Sequence, residues 1–309
     1  MKDSTLCVLP RSGHRDNVVV RYFTLLIMLS YAILSLFPFI WAFLVSLSPI
    51  VFTATGGPHA GELVNVDIKK FPPEINIFTG TVFGAPMTLS NYFAIFRLFP
   101  FARWFFNTVI FACAVSTGVI FFNTVAAYAF ARLRFPLREF WFSVFLATMM
   151  VPFHVTMIPL YNLMVKMGWI NTYQGLIIPK LISVSIIFFM RSFFIGFPKS
   201  LEEAAYIDGA GIPRILFTIV LPNCKAAIAA QFIYVFLGSW NEFMWPLIVT
   251  SKPEMATLTM GLTYFQGGFY TDWQYLMAAT MMITVPMFVV FIIFQKQFIS
   301  SNISSGVKG

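Results

Sequence analysis

Residues 200–222 read SLEEAAYIDGAGIPRILFTIVLP and place charged groups and glycines between two strongly apolar parts of the chain. The carboxylates of Glu203 and Asp208 and the guanidinium of Arg214 are groups that form charge-assisted hydrogen bonds with another protein. Small residues beside them allow a second backbone to approach closely. These residue types suit a docking surface and a capped, solvated connecting loop equally well, and both interpretations stay open at this point.

The first half of this stretch carries the signals of a short helix. Pro198 ends the preceding element, and Ser200 followed by Glu203 has the form of a capping box. We therefore predict a helix over 201–208. Gly209 is predicted to end it in the left-handed conformation, which glycine adopts at little cost.

The second half is predicted to return as another helix. Gly211 and Pro213 are typical of a helix start, and Pro222 is predicted to mark the bend into the next apolar run. The return helix has an apolar face made by Ile215, Leu216, Ile219 and Val220. Residues 197–222 are thus predicted to form a rigid helix–turn–helix, called the elbow segment below.

The composition of the whole chain indicates the class of protein to which the elbow segment belongs. The chain has 309 residues, of which 59% are hydrophobic and 10% charged, and its mean hydropathy is +0.80. Soluble domains carry about 25% charged residues. Because lipid offers no hydrogen-bond partners to the backbone, we predict an all-α polytopic membrane protein.

The distribution of basic residues argues against a nucleic-acid-binding protein, and that of the cysteines argues against a metal-binding or disulfide-linked one. The net charge is +8, but the basic residues are scattered singly, so nucleic-acid binding is not expected. Cys7, Cys113 and Cys224 lie far apart without C-x-x-C spacing. Neither a metal site nor a disulfide framework is therefore predicted.

Six apolar segments are long enough to cross a bilayer as helices. We predict one transmembrane domain over 1–309, with an external loop at 49–102. The first segment is too long for a cleaved signal peptide. The loop is rich in Gly and Pro, and either an ordered cap with short strands or a flexible insertion would suit it. The predicted spans are 22–48, 104–131, 140–162, 174–195, 224–249 and 273–296.

The orientation is predicted from the positive-inside rule. Most of the 20 Lys and Arg residues fall in the N-terminal region, in the connection between the second and third segments, in the elbow segment and near the C-terminus. Both termini and the elbow segment are therefore predicted to face the cytoplasm.

Ionisable residues at membrane depth are functional candidates. His154 lies between Pro152 and Pro159, which can kink its helix, and it is a candidate for contact with substrate or a gate. Glu242 and its neighbour Asn241 are predicted near the outer interface, where a structural or gating role is expected. A packing role is the alternative for all three.

Three more polar side chains in the apolar segments are predicted to have structural roles. Lys180 is expected to extend outward to the interface. Asn107 and Asn123 are expected to join helices rather than to bind solute.

The elbow segment also has the complete spacing of a known motif. It resembles the EAA motif of permease subunits from binding-protein-dependent ABC importers. Stretches such as WFFNTVIFACAVST, AAYAFARLRFP and SWNEFMWPLIV resemble the MalG-like carbohydrate branch, over about Leu89 to Gly309. Lys225 stands where the family often has a proline. The matching residues are Glu203, Ala204, Ala205, Gly209, Ile219, Leu221 and Pro222.

This resemblance implies a six-helix type I ABC importer permease in a bacterial inner membrane. The elbow segment would form a coupling helix seated in a cleft of a separate ATPase. Its partners would be a second, related permease in a heterodimer, two ATP-binding subunits or a homodimer of them, and an extracytoplasmic solute-binding protein. The ATPase contacts would be Glu203, Ala204, Ala205, Asp208 and Gly209, within a motif completed by Ile219, Leu221 and Pro222.

No cofactor is expected in this chain itself. It has no G-x-x-x-x-G-K-[ST] phosphate loop, so it is not predicted to be an enzyme, and ATP and magnesium would bind the partner. The predicted function is import of a sugar, glycoside or polyol-type solute by alternating access. An ion-driven secondary transporter and a membrane scaffold are the alternatives.

Overall fold

The computed structural model describes residues 18–48, 85–266 and 272–306, with the short stretches 51–52, 63–64, 75–76 and 81–82. The predictions for the two chain ends and for most of the external loop concern residues outside these ranges. They stay predictions.

The described chain consists mainly of helices. Three 3-10 turns, at Ile178–Lys180, Pro253–Met255 and Leu262–Phe265, and one π-helix, at Ile215–Val220, adjoin the α-helices. The α-helices are α1 (Val18–Ser46), α2 (Ser90–Leu98), α3 (Phe101–Arg132), α4 (Arg138–Thr148), α5 (Phe153–Lys166), α6 (Tyr173–Ile177), α7 (Val184–Ile195), α8 (Lys199–Ile207), α9 (Ile212–Arg214), α10 (Leu221–Asn223), α11 (Lys225–Trp240), α12 (Met244–Val249), α13 (Leu258–Gly261) and α14 (Trp273–Gly306).

The loop between α1 and α2 contains short antiparallel strands, one of the two expectations for it. Val51 lies opposite Val64, and Ile75 lies opposite Val82. The strands are β1 (Val51–Phe52), β2 (Leu63–Val64), β3 (Ile75–Asn76), β4 (Thr81–Val82) and β5 (Ala85–Pro86), in a sheet of β1 and β2 and a second sheet in the order β3-β4-β5.

Three single helices are long and apolar enough to cross a membrane: α1 from Val20, α3, and α14 up to Phe294. Three helix pairs meet the same criteria together but are sharply bent. The angles are 94° between α4 and α5, 43° between the α6 region and α7, and 83° between the Ile212–Asn223 helix and α11. Length and composition thus allow up to six crossings.

The bends have local causes in the sequence. Pro152 precedes α5 in an extended conformation, and proline disfavours helical geometry in the residue before it. Pro222 has no N–H for the carbonyl of Thr218, and the wider π-turns lie directly before it. The chain bends at Cys224, so the prediction that it bends at Pro222 is corrected by two residues.

The long helix α3 is the centre of the packing. It lies against α7 on one side and α11 on another, while α1 packs along α14. Near its start Trp104 is fully buried, stacks on Tyr264 with ring centroids 5.4 Å apart, and donates from Nε1 to the Pro253 carbonyl over 2.8 Å. A Trp buried in this way contributes both packing area and a satisfied polar group.

Two buried asparagines of α3 hold other segments against it, as predicted. Asn107 donates to the carbonyls of Glu254 and Ala256 and accepts from the Tyr173 hydroxyl. Asn123 donates to the Leu181 carbonyl. Since lipid removes the hydrophobic drive between helices, such contacts and close packing fix their arrangement.

Candidate functional site

The first helix of the elbow segment is α8, and it starts without the predicted capping box. Pro198 is the N-cap residue, and no side chain caps the helix. Ser200 lies inside the first turn, so the expected bond from its hydroxyl to the backbone is absent and that prediction is wrong. Proline supplies a fixed φ before the helix instead.

Gly209 ends α8 as predicted, with φ +79°. Its N–H donates to the Tyr206 carbonyl over 3.0 Å, and the Ala210 N–H donates to the Ala205 carbonyl over 2.9 Å. This pair of bonds is the Schellman motif. A side chain at Gly209 would meet nothing within 4 Å but would require a strained backbone.

The predicted docking residues divide into two groups by exposure. Glu203, Ala204, Asp208 and Gly209 are exposed, whereas Ala205 is buried in the main core. Ala205 therefore differs from its neighbours, because its methyl group packs within the chain. Of the remaining motif residues, Pro222 is exposed, and Ile219 and Leu221 are partly buried.

The sequence reading missed Ile207 at the end of α8. Its side chain is 88% exposed, and Tyr206 beside it is half-exposed. Together the two side chains form a small exposed apolar area beside the glycine turn.

A buried ion pair ties α8 to the end of α3. Arg132 Nε lies 2.9 Å from Glu202 Oε1, and both side chains are 8% exposed. The Tyr128 hydroxyl donates to Glu202 Oε2 over 3.0 Å, and Arg132 Nη2 donates to the Phe197 carbonyl. The sequence analysis missed this cluster, because Arg132 and Glu202 each lie beside other residues of the same charge and nothing local marks them as a pair.

A second ion pair joins the Ile178–Lys180 turn to the segment before α12. Lys180 Nζ lies 2.9 Å from Glu242 Oε2 and 4.2 Å from the centroid of the Phe153 ring. Glu242 Oε1 also accepts from the Trp245 N–H over 3.3 Å. Lys180 therefore has an ion-pair partner within the chain, and the expectation that it extends outward to the interface stays a prediction.

The other two gate candidates are exposed. The His154 and Phe153 rings have centroids 6.1 Å apart. Phe153 is also the ring that Lys180 Nζ approaches. Asn241 donates to the Leu237 carbonyl of its own helix over 2.9 Å. The structure thus brings His154 and Glu242 near one aromatic ring, while Asn241 faces outward.

Within the ranges that the structure describes, no group of three or more His, Cys, Asp and Glu residues could hold a metal ion. The elbow segment and the Lys180–Glu242 region contain ion pairs together with exposed polar side chains.

Several helices long and apolar enough to cross a membrane are the features of a polytopic membrane protein. Residues 120–302, more than half of the chain, match the family described as binding-protein-dependent transport system inner membrane component. The chain belongs to this family. It is a multi-pass inner-membrane protein.

Curated relatives agree over most of their length. The chain is 34% identical over 252 residues to the arabinooligosaccharides transport system permease protein AraQ of Halalkalibacterium halodurans, covering 80% of this chain and 90% of the relative. It is 34% identical over 208 residues to the sn-glycerol-3-phosphate transport system permease protein UgpE of Yersinia enterocolitica, covering 67% and 74%. Since these relatives are permease proteins, this chain is a permease subunit, and ATP hydrolysis belongs to a separate subunit.

A solved structure has the same fold. It is a chain from the crystal structure of a bacterial ABC transporter involved in the import of the acidic polysaccharide alginate, with a TM-score of 0.74 and 21% identity. The match covers 91% of this chain and 97% of the other. The predicted ABC importer permease fold is confirmed.

Proposed function

We propose that the chain is one of two related permease subunits of an ATP-driven importer for a sugar, glycoside or polyol-type solute. Two ATP-binding subunits would hold ATP and magnesium on the cytoplasmic side, and an extracytoplasmic binding protein would deliver the solute. The relatives named for arabinooligosaccharides and sn-glycerol-3-phosphate support this solute class.

The observation that carries the proposal is the exposed tip of α8. Glu203, Ala204, Asp208 and Gly209 present acid, methyl groups and bare backbone, and Ile207 adds an apolar side chain. A cleft in an ATPase would cover Ile207 and supply cations to the carboxylates. The small residues would let the two backbones approach closely.

The attachment of α8 to α3 supports a mechanical role for α8. The Arg132–Glu202 pair connects α8 to α3, a helix of 32 residues that spans about 48 Å at 1.5 Å per residue. A rigid-body movement of α8 driven by ATP binding would therefore move α3 and the helices packed on it. Alternating access follows if this movement opens the outer side of the bundle and hydrolysis resets it.

The second ion pair is our candidate for the outer gate. Lys180 and Glu242 bridge the Ile178–Lys180 turn to the segment before α12, and the Phe153 ring of α5 lies under the lysine. His154 and Asn241 are the neighbouring candidates for solute contact. Separation of this ion pair would free the three segments to move apart.

The test is replacement of Gly209 by leucine in the assembled transporter. Gly209→Leu is expected to lower solute uptake at least 10-fold and to reduce recovery of the ATPase subunits, because the turn is strained and the docking surface is blocked. Gly168→Leu is the matched control: Gly168 also has positive φ, +68°, and also has nothing within 4 Å, but it lies between α5 and α6.

Uptake by reconstituted vesicles and co-purification would be measured for both variants. Equal losses in the two would show backbone strain to be the cause and would contradict a docking role for the elbow segment. Uptake that persists without ATP would instead support the ion-driven carrier.

A further inference from the structure

A basic cleft lies between the elbow segment and the ends of α3, α4 and α7. It has a volume of about 570 Å³. Two carboxylates, of Glu202 and Glu203, also line it. Its basic lining residues are Arg132, Arg134, Arg138, Arg191 and Lys199.

Three of these cations are already paired with carboxylates within the chain. Arg132 pairs with Glu202, while Arg138 and Arg191 both pair with the Glu139 carboxylate at 2.8–2.9 Å. The two that remain, Arg134 and Lys199, form no ion pair with any residue that the structure describes. The five cations exceed the three carboxylates of Glu202, Glu203 and Glu139 by two, so the cleft keeps a net positive charge for a ligand.

A second cavity, of about 550 Å³, adjoins the first and shares Arg134 and Arg138 with it. Its other walls include three apolar side chains that are all exposed. Leu137 is 67% exposed and has a backbone φ of +57°. The apolar lining residues are Phe135, Leu137 and Phe140.

We propose that the paired cavities bind an anionic phospholipid, with its phosphate between Arg134 and Lys199 and its glycerol and acyl region against the apolar wall. A ligand that is anionic at one end and apolar at the other matches both cavities. An acidic protein surface would match the basic cleft alone and would not match the adjoining apolar cavity. On the orientation proposed above, the cleft faces the cytoplasmic leaflet, where basic pockets beside membrane helices bind anionic headgroups.

A lipid bound in the cleft would make the coupling between the ATPase and the permease depend on the lipid composition of the membrane. Lys199 is the first residue of α8, and the cleft also contains the Arg132–Glu202 pair. A bound phosphate would thus stabilise the start of the elbow segment in the arrangement seen here. The inference does not depend on which solute is carried.

The test is native mass spectrometry of the assembled transporter in detergent, titrated with phosphatidylglycerol or phosphatidylcholine. One basic residue near a membrane surface contributes roughly a fivefold factor in anionic lipid affinity. The Arg134→Gln/Lys199→Gln double variant is therefore expected to bind phosphatidylglycerol about 25-fold more weakly. The Arg134→Lys variant keeps the positive charge, and its affinity for phosphatidylglycerol should stay within about twofold of that of the unchanged protein. This result would show that loss of charge, and not misfolding, weakens binding in the double variant.

The matched control is the double variant Lys225→Gln/Lys252→Gln, since these exposed residues lie outside the cleft and form no ion pair in the described chain. Equal losses in both double variants, or equal binding of phosphatidylcholine, would overturn the proposal. Displacement of the lipid by millimolar inorganic phosphate would show a free-anion site instead. Normal lipid binding with loss of the ATPase subunits would show a protein contact.

Discussion

At the scale of single residues, the elbow segment uses two adjacent glutamates in different ways. Glu202 is buried and holds Arg132 and the Tyr128 hydroxyl, whereas Glu203 is exposed next to the small residues of the tip. Because successive helical residues point about 100° apart, one carboxylate faces the protein and the other faces outward. Only the second is available to a partner.

Glu202→Gln and Glu203→Gln therefore form a matched pair. Loss of the buried carboxylate leaves Arg132 uncompensated, and we expect Glu202→Gln to lower the free energy of unfolding by about 3–5 kcal/mol. Glu203→Gln should change it by less than about 0.5 kcal/mol but should weaken recovery of the ATPase subunits. Denaturation in detergent and co-purification measure the two effects. Similar unfolding curves for both variants would contradict the role given to the buried pair.

At the scale of elements, glycine positions show where helices touch and where they do not. A Cβ at Gly261 in α13 would lie 2.4 Å from the Trp104 ring, so only glycine permits this approach to α3. A Cβ at Gly238 in α11 would meet nothing within 4 Å. The contact between α13 and α3 thus depends on the absence of a Cβ atom at Gly261.

Gly261→Ala is expected to destabilise the protein by about 1–3 kcal/mol, because the indole is fully buried and has no room to move. Gly238→Ala, the same change within a helix, should stabilise it by about 0.5–1 kcal/mol through helix propensity. Thermal unfolding of the two variants in one detergent makes the comparison. A stabilised Gly261→Ala protein would contradict the packing of α13 described above.

At the scale of the whole molecule, the elbow segment and the 251–255 turn lie at opposite ends of α3. The Arg132–Glu202 pair is at the end of α3, and the 251–255 turn lies beside the start of α3, where Asn107 binds it. Since α3 is one unbroken helix, these two ends belong to opposite sides of the membrane in the proposed orientation.

Labelling of single cysteines tests that orientation. In a background without Cys7, Cys113 and Cys224, Lys252→Cys should react with a membrane-impermeant maleimide added outside spheroplasts. Arg214→Cys should react only after the membrane is opened, because the elbow segment is proposed to face the cytoplasm. Both side chains are exposed, so accessibility within the chain is matched. The reverse pattern would invert the topology.

Local chemistry in the sequence was enough to predict the helical membrane class, the glycine-terminated helix of the elbow segment and the return helix at Pro213. These features depend on residues a few positions apart, whose backbone preferences and hydrophobicity act without the rest of the chain. The same local reasoning misplaced the cap at Ser200 and the bend at Pro222. There the neighbouring proline and the π-turns determined the backbone instead.

The contacts between distant residues were decided only by the tertiary structure. Glu202 lies 70 positions from Arg132, and Lys180 lies 62 positions from Glu242, yet each forms an ion pair at 2.9 Å. Burial of Ala205 and the adjoining basic and apolar cavities likewise depend on how α3, α4, α7 and α8 pack. No periodicity encodes these pairings, because an ion pair in a bundle is specified by the crossing of its helices and not by the spacing within either one.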